Sequence, residues 1–310
     1  MLRWAGAPAV AMCVAACTAA HPAGGPAHAT APTAVTRAAP VATTAATAPA
    51  STAPTTTVLP VPVRTSDLPP VPDAPPALTA ALAATETAIH DPATPLASVP
   101  ALGATEQRLV ATLAAHPDWA TEVTAALPPA VRGFVADAVA GDRELSAVPG
   151  STPATVPPWV IVAPRPADEL LADYRRTESE TGVPWTVLAA INLVETRMGR
   201  IVGPSSAGAQ GPMQFLHSTW AEYGAGDDIH DAGAAIAAAG RFLRANGGGH
   251  DLAAAVYHYN RSPHYVRGVL AYAAAMAADP RAFYAFYGWR VYVTTTAGTF
   301  LLPEGFVHNG

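Results

Sequence analysis

From Thr18 to about Pro75 the chain offers almost nothing from which a core could be built. It holds Ala, Thr, Pro and Val, few charges and no aromatic residue. Such a segment cannot bury enough apolar surface to offset the entropy of ordering it, so residues 18–75 are expected to form an extended tether. A folded body must come from the rest of the 310 residues, which is enough for one or two domains.

Ahead of the tether, Arg3 and the apolar run Trp4–Ala16 read as an export signal, too short to span a bilayer as a stable helix. The run ends Val14-Ala15-Ala16-Cys17, a small residue directly before a cysteine, which resembles a bacterial lipobox. Residues 1–17 are therefore expected to be a lipoprotein signal, cleaved before Cys17. The new N-terminal cysteine would carry the lipid and anchor the exported protein in the membrane. A plain secretory signal is the alternative, and it would leave the protein secreted. Cys13 and Cys17 are the two cysteines, so the remainder has neither disulfide nor thiolate metal site. The net charge of −6, with 17 arginines, no lysine and no basic tract, excludes nucleic acid as an expected partner.

Beyond the tether the periodicity turns helical. Over 76–148 four segments carry apolar faces: Leu78, Leu82 and Ile89; Leu109, Val110 and Leu113 within Thr105–Ala115; Asp118 through Leu127; and Val131, Phe134, Val135 and Val139. No catalytic constellation stands out, and a helical accessory region of structural role is expected. Residues 149–166 read as a Pro-rich linker.

The chemistry concentrates after it. Asp168–Thr181 predicts an amphipathic helix closed by Gly182, and Pro184 then opens a helix running to about Met198. Leu188, Ile191 and Glu195 fall at i, i+3 and i+7, with Met198 next on the same face. A carboxyl on an apolar stripe near a helix C-terminus is biased towards its neutral form by desolvation and by the helix dipole. That is what protonating a glycosidic oxygen requires. By pattern alone, a glutamate at the stripe's rim reaching out to water is the commoner arrangement.

The residues after this helix shift the balance. Ser205-Ser206-Ala207-Gly208-Ala209-Gln210-Gly211-Pro212-Met213-Gln214-Phe215, then Ser218-Thr219-Trp220, is too glycine-rich for a helix interior and lets backbone approach a ligand closely. With Glu195-Thr196 before it and Tyr259-Asn260 after it, this segment resembles the soluble lytic transglycosylase family, related to goose-type lysozyme. The resemblance covers about ninety residues, 182–272. Thr196 stands where that family has Ser, and His217 where it has Pro; an exposed His217 without a role is the expectation.

The resemblance implies a mainly α, lysozyme-like catalytic domain over 167–278. Asp231 and Asp251 are expected to cap two of its helices, and Ser262-Pro263 to open a last one carrying Val266, Val269, Leu270 and Ala273. Residues 279–310 read as an aromatic-rich extension ending in a β-hairpin around Ala297-Gly298, the aromatics packing rather than binding glycan. The resemblance further implies peptidoglycan glycan strands as substrate and Glu195 as sole acid/base. Thr196, Ser205, Gln210, Met213, Gln214, Tyr259 and Asn260 would surround the sugars and the carboxyl, the Tyr259 hydroxyl meeting either the carboxyl or the sugar. No cofactor or metal is expected, and a monomer is. A second carboxylate, which most glycosidases use, is not evident: Asp227 and Asp228 are clustered, and Asp231 is a cap. Asp227 and Asp228 with His230 lack the spacing of a calcium loop.

Overall fold

The computed structural model describes residues 59–308. The expected export signal, the Cys17 expected to carry lipid, and the tether as far as residue 58 lie outside the described residues. The first half comprises β1 (Val63–Arg64), α1 (Pro75–His90), α2 (Val99–Ala115), α3 (Ala120–Ala126), α4 (Pro129–Ser146) and β2 (Val160–Ile161). Then come α5 (Ala167–Thr181), α6 (Trp185–Thr196), β3 (Ile201–Val202), α7 (His217–Tyr223) and α8 (Ala232–Ala245). The chain closes with α9 (Leu252–Tyr259), α10 (Pro263–Ala278), α11 (Arg281–Tyr287), β4 (Val291–Thr295) and β5 (Gly298–Leu302). The described residues are mainly helical, with a small antiparallel sheet in the order β1-β5-β4 and a two-stranded β2-β3 pair.

Local chemistry sets the helix ends. Proline occupies the first turn of α1, α2, α4 and α10, where its missing N–H costs nothing. Asp231, Asp251 and Ser262 cap α8, α9 and α10 by accepting from backbone N–H groups of Ala234, Ala254 and Tyr265. Gly182 ends α5 at φ 72°. The hairpin forms with Val291 opposite Leu302 and Thr295 opposite Gly298.

Three expectations change. The helices of 76–148 are not an appendage: Leu78 and Leu82 (α1), Leu113 (α2) and Val135 (α4) share one apolar core with Ile191 (α6), Val269 (α10) and Trp289. The contacts are close because small residues make them. Gly141 of α4 lies against the Tyr272 ring, and a Cβ on Gly103 of α2 would collide with the Ala285 carbonyl of α11. In alanine-rich helices such small faces carry little hydrophobic contrast, so periodicity does not reveal them.

The 149–166 linker is also anchored. Trp159 and Ile161 are buried, and β2 pairs antiparallel with β3, Ile161 opposite Ile201. Likewise the tether does not extend unstructured to 75. Val63 and Arg64 pair with Leu301 and Phe300 of β5, and the Arg64 guanidinium lies 4.9 Å from the Phe300 ring centroid. Backbone pairing to an existing edge needs no apolar content of its own, which is why composition misses it.

Candidate active site

α6 is buried along almost its whole length, and its last turn presents Glu195. The side chain keeps 8% of its surface exposed, and the Tyr265 hydroxyl of α10 donates to its Oε1 at 2.6 Å. Burial pushes the carboxyl up to about 7, and the Tyr265 hydrogen bond opposes that rise by favouring the anion. The group thus holds a proton near neutrality, with a partner already aimed at the anion that would follow.

α6 stops at Thr196, short of its expected end at Met198. Arg197 and Met198 take left-handed conformations, φ 53° and 61°, followed by Gly199 at 85°. Two L-residues in that region cost about 1 kcal/mol each. Side chains hold the run in place. Thr196 Oγ1 accepts from Gly199 N at 3.0 Å and donates to the Pro212 carbonyl at 2.6 Å; Asn192 Nδ2 donates to the same carbonyl at 2.8 Å. Tyr174 of α5 donates to Asn192 Oδ1 at 2.6 Å. The glycine-rich loop is thereby tied to the helix carrying Glu195.

Thr196 is wholly buried in this tie, so it supports the loop instead of meeting a ligand as expected. Met213 is also wholly buried, and its carbonyl accepts from the Tyr259 hydroxyl at 2.6 Å. Of the two partners expected for Tyr259, the carboxyl is met by Tyr265 instead, and Tyr259 braces the loop, its ring 5.8 Å from Phe215. Ser205 organises the turn, its Oγ accepting from Ala207 N and Ala209 N at 3.2 and 3.0 Å.

Gln210 and Phe215 exchange two backbone hydrogen bonds of 2.9 Å, closing a tight loop with Gly211 at φ 74° and Gln214 at φ 50°. A Cβ on Gly211 would overlap the Ile229 carbonyl, so glycine is required there on two counts. The Gln210 side chain is exposed. Gln214 donates to the Gly211 carbonyl at 2.9 Å, while its Oε1 is buried without a partner. Such an acceptor is an open position for a ligand donor. Asn260, at the C-terminal end of α9, is buried.

Tyr265 was within reach of the sequence. With Val269, Tyr272 and Met276 it makes an i, i+4, i+7, i+11 stripe, all buried, on the inner face of α10. The loop also borders a cavity of about 300 Å³ lined by Arg165, Asn192, Met198, Gly203 and Pro212, a recess that does not include Glu195. Asp228 Oδ1 accepts from His230 N and Asp231 caps α8. Among the described residues no group of three or more His, Cys, Asp or Glu side chains could hold a metal ion, and no helix is long and apolar enough to cross a membrane.

No protein-family model, curated protein or solved structure matches this chain.

Proposed function

We propose that the protein is a lysozyme-like lytic transglycosylase, which cleaves the β-1,4 bond between N-acetylmuramic acid and N-acetylglucosamine of bacterial peptidoglycan. The observation that carries the reading is the Glu195 carboxyl, buried, held near neutrality and hydrogen-bonded to Tyr265, on a helix tied to a glycine-rich loop.

Glu195 protonates the glycosidic oxygen as the bond breaks, and the cationic muramoyl sugar is stabilised by its own N-acetyl group. The resulting carboxylate, with Tyr265 donating to it, then takes the proton of the sugar's C6 hydroxyl. That oxygen closes on C1 and leaves a 1,6-anhydromuramoyl end, with no water added. One group gives and takes back one proton, which suits a site where no second carboxylate was evident. The lipid anchor on Cys17 and the location outside the membrane belong to the same reading.

Purified protein acting on peptidoglycan sacculi should release muropeptides one water lighter than hydrolysis products, as read by mass spectrometry. Glu195→Gln should lower release by about a thousandfold, the scale of a lost general acid/base. Normal reducing ends would identify a lysozyme-type hydrolase instead. Binding to sacculi without release, equal in wild type and Glu195→Gln, would identify a wall-binding protein.

A further inference from the structure

Behind the C-terminal end of α6 lies a second set of buried polar groups, which the reaction above does not use. Asp142 of α4, Arg197 and Tyr272 of α10 are all buried. Trp289 covers them. The Arg197 guanidinium carbon lies 5.8 Å from its ring centroid, and the Tyr272 ring meets it edge-on at 5.4 Å. Glu106 of α2 accepts from Trp289 Nε1 at 3.1 Å. Arg197 Nη1 donates to the Leu193 carbonyl at 3.1 Å, whereas its Nε is buried without an acceptor.

Arg197 follows Glu195 by two residues and begins the left-handed run at 197–199. L-residues leave that conformation unless their surroundings over-determine it. Gly199 is held through Thr196, and Met198 is held by burial and by the Tyr174 hydroxyl 3.6 Å from its sulfur. Arg197 is held by its guanidinium. The ring that receives it, Trp289, meets Tyr272 of α10, which in turn lies against Gly141 of α4, so the N-terminal helices back the groove.

We infer that Arg197 is a positioning residue for Glu195. Its guanidinium, stacked against Trp289 and donating back to the Leu193 carbonyl, pins the turn that ends α6 and so fixes where the Glu195 carboxyl points. The helices of 75–146 are thereby part of the catalytic unit. The inference rests on the proposed function for the reaction, and on the turn's geometry alone for the pinning.

Arg197→Gly separates the guanidinium from the backbone, because glycine adopts the left-handed conformation without strain. On soluble glycan strands, kcat should fall about tenfold or more with KM within about twofold, since misplacing a catalytic group by an ångström costs up to about a hundredfold. Met198 and Gly199 amides should exchange with solvent about tenfold faster, reporting a looser turn. Arg197→Lys should recover part of kcat, and Asp142→Asn should shift both readouts in the same direction as Arg197→Gly, by less. Wild-type kcat and wild-type exchange in Arg197→Gly would overturn the inference. Should that variant fail to fold, Arg197→Lys decides: reduced kcat at constant KM supports it and unchanged kcat overturns it. A wild type that releases nothing, while Arg197→Gly still speeds exchange of those amides, would overturn the proposed function and leave the pinning intact.

Discussion

Two carboxyls of this protein are pushed to about the same acidity in very different places. Glu195, at the end of α6, and Asp142, under α10, are both raised to about 7, by burial in each case. What opposes the shift differs. A neutral hydroxyl, Tyr265, donates to Glu195, whereas two guanidinium groups, Arg197 and Arg143, act on Asp142. Glu195 keeps 8% of its surface open and Asp142 only 2%. A third carboxyl, Glu106, is held well above its ordinary range by burial and by the nearby Glu86, and donates nothing to a ligand because it is sealed against Trp289. Perturbed acidity therefore marks burial, and burial alone does not make chemistry. At Glu195 a displaced pKa and a hydrogen-bond donor for the anion coincide, and that pairing is what the proposed site rests on.

The sharpest way to break this contrast is to open the sealed region. Gly103→Ala should cost about 3 kcal/mol or more of stability, because the added methyl meets the Ala285 backbone, which cannot yield as a side chain could. Chemical denaturation would measure it. A loss below about 1 kcal/mol would mean that α2 and α11 are not locked together.

A smaller effect tests the Glu195 carboxyl. Its folded pKa of about 7 lies above the ordinary 4.5, so the stability linked to this group is fully present below pH 4.5 and is lost as pH rises through 7. Glutamine removes that dependence. Glu195→Gln should match wild type near pH 4 and exceed it by about 3 kcal/mol at pH 8.5, as followed by thermal unfolding. Asp142→Asn should gain less at alkaline pH, since it leaves buried Arg197 facing no carboxylate. Equal gains in the two variants would erase the distinction between the regions.

The smallest effect concerns Tyr265. Its hydrogen bond lowers the pKa of Glu195, so Tyr265→Phe should move the basic limb of the kcat–pH profile upward. A downward shift would show that the hydroxyl favours the protonated acid.

Much of the site could be read in one dimension. The position of Glu195 on an apolar stripe, the caps at Asp231, Asp251 and Ser262, the stop at Gly182 and the hairpin after Trp289 are all short-range patterns. Roles were harder. Tyr259 and Tyr265 both point inward, and nothing local says which hydroxyl reaches Glu195 and which reaches Met213, since that depends on how α9 and α10 are tilted against α6. The early end of α6 was hidden too, because Arg197 and Met198 are good helix formers whose left-handed backbone is imposed by Pro212, Thr196 and the Arg197 groove.

By itself, then, the amino-acid sequence determined where helices start and stop and which residue types are present for proton transfer, because capping, turn chemistry and periodicity act over a few residues. Only the tertiary structure decided that the 75–146 helices share one core with the helix carrying Glu195, that residues 63–64 and 160–161 become strands, and that Tyr265 meets Glu195. Those outcomes depend on contacts between segments far apart in the chain, made through glycines and backbone edges that leave no hydrophobic signature of their own.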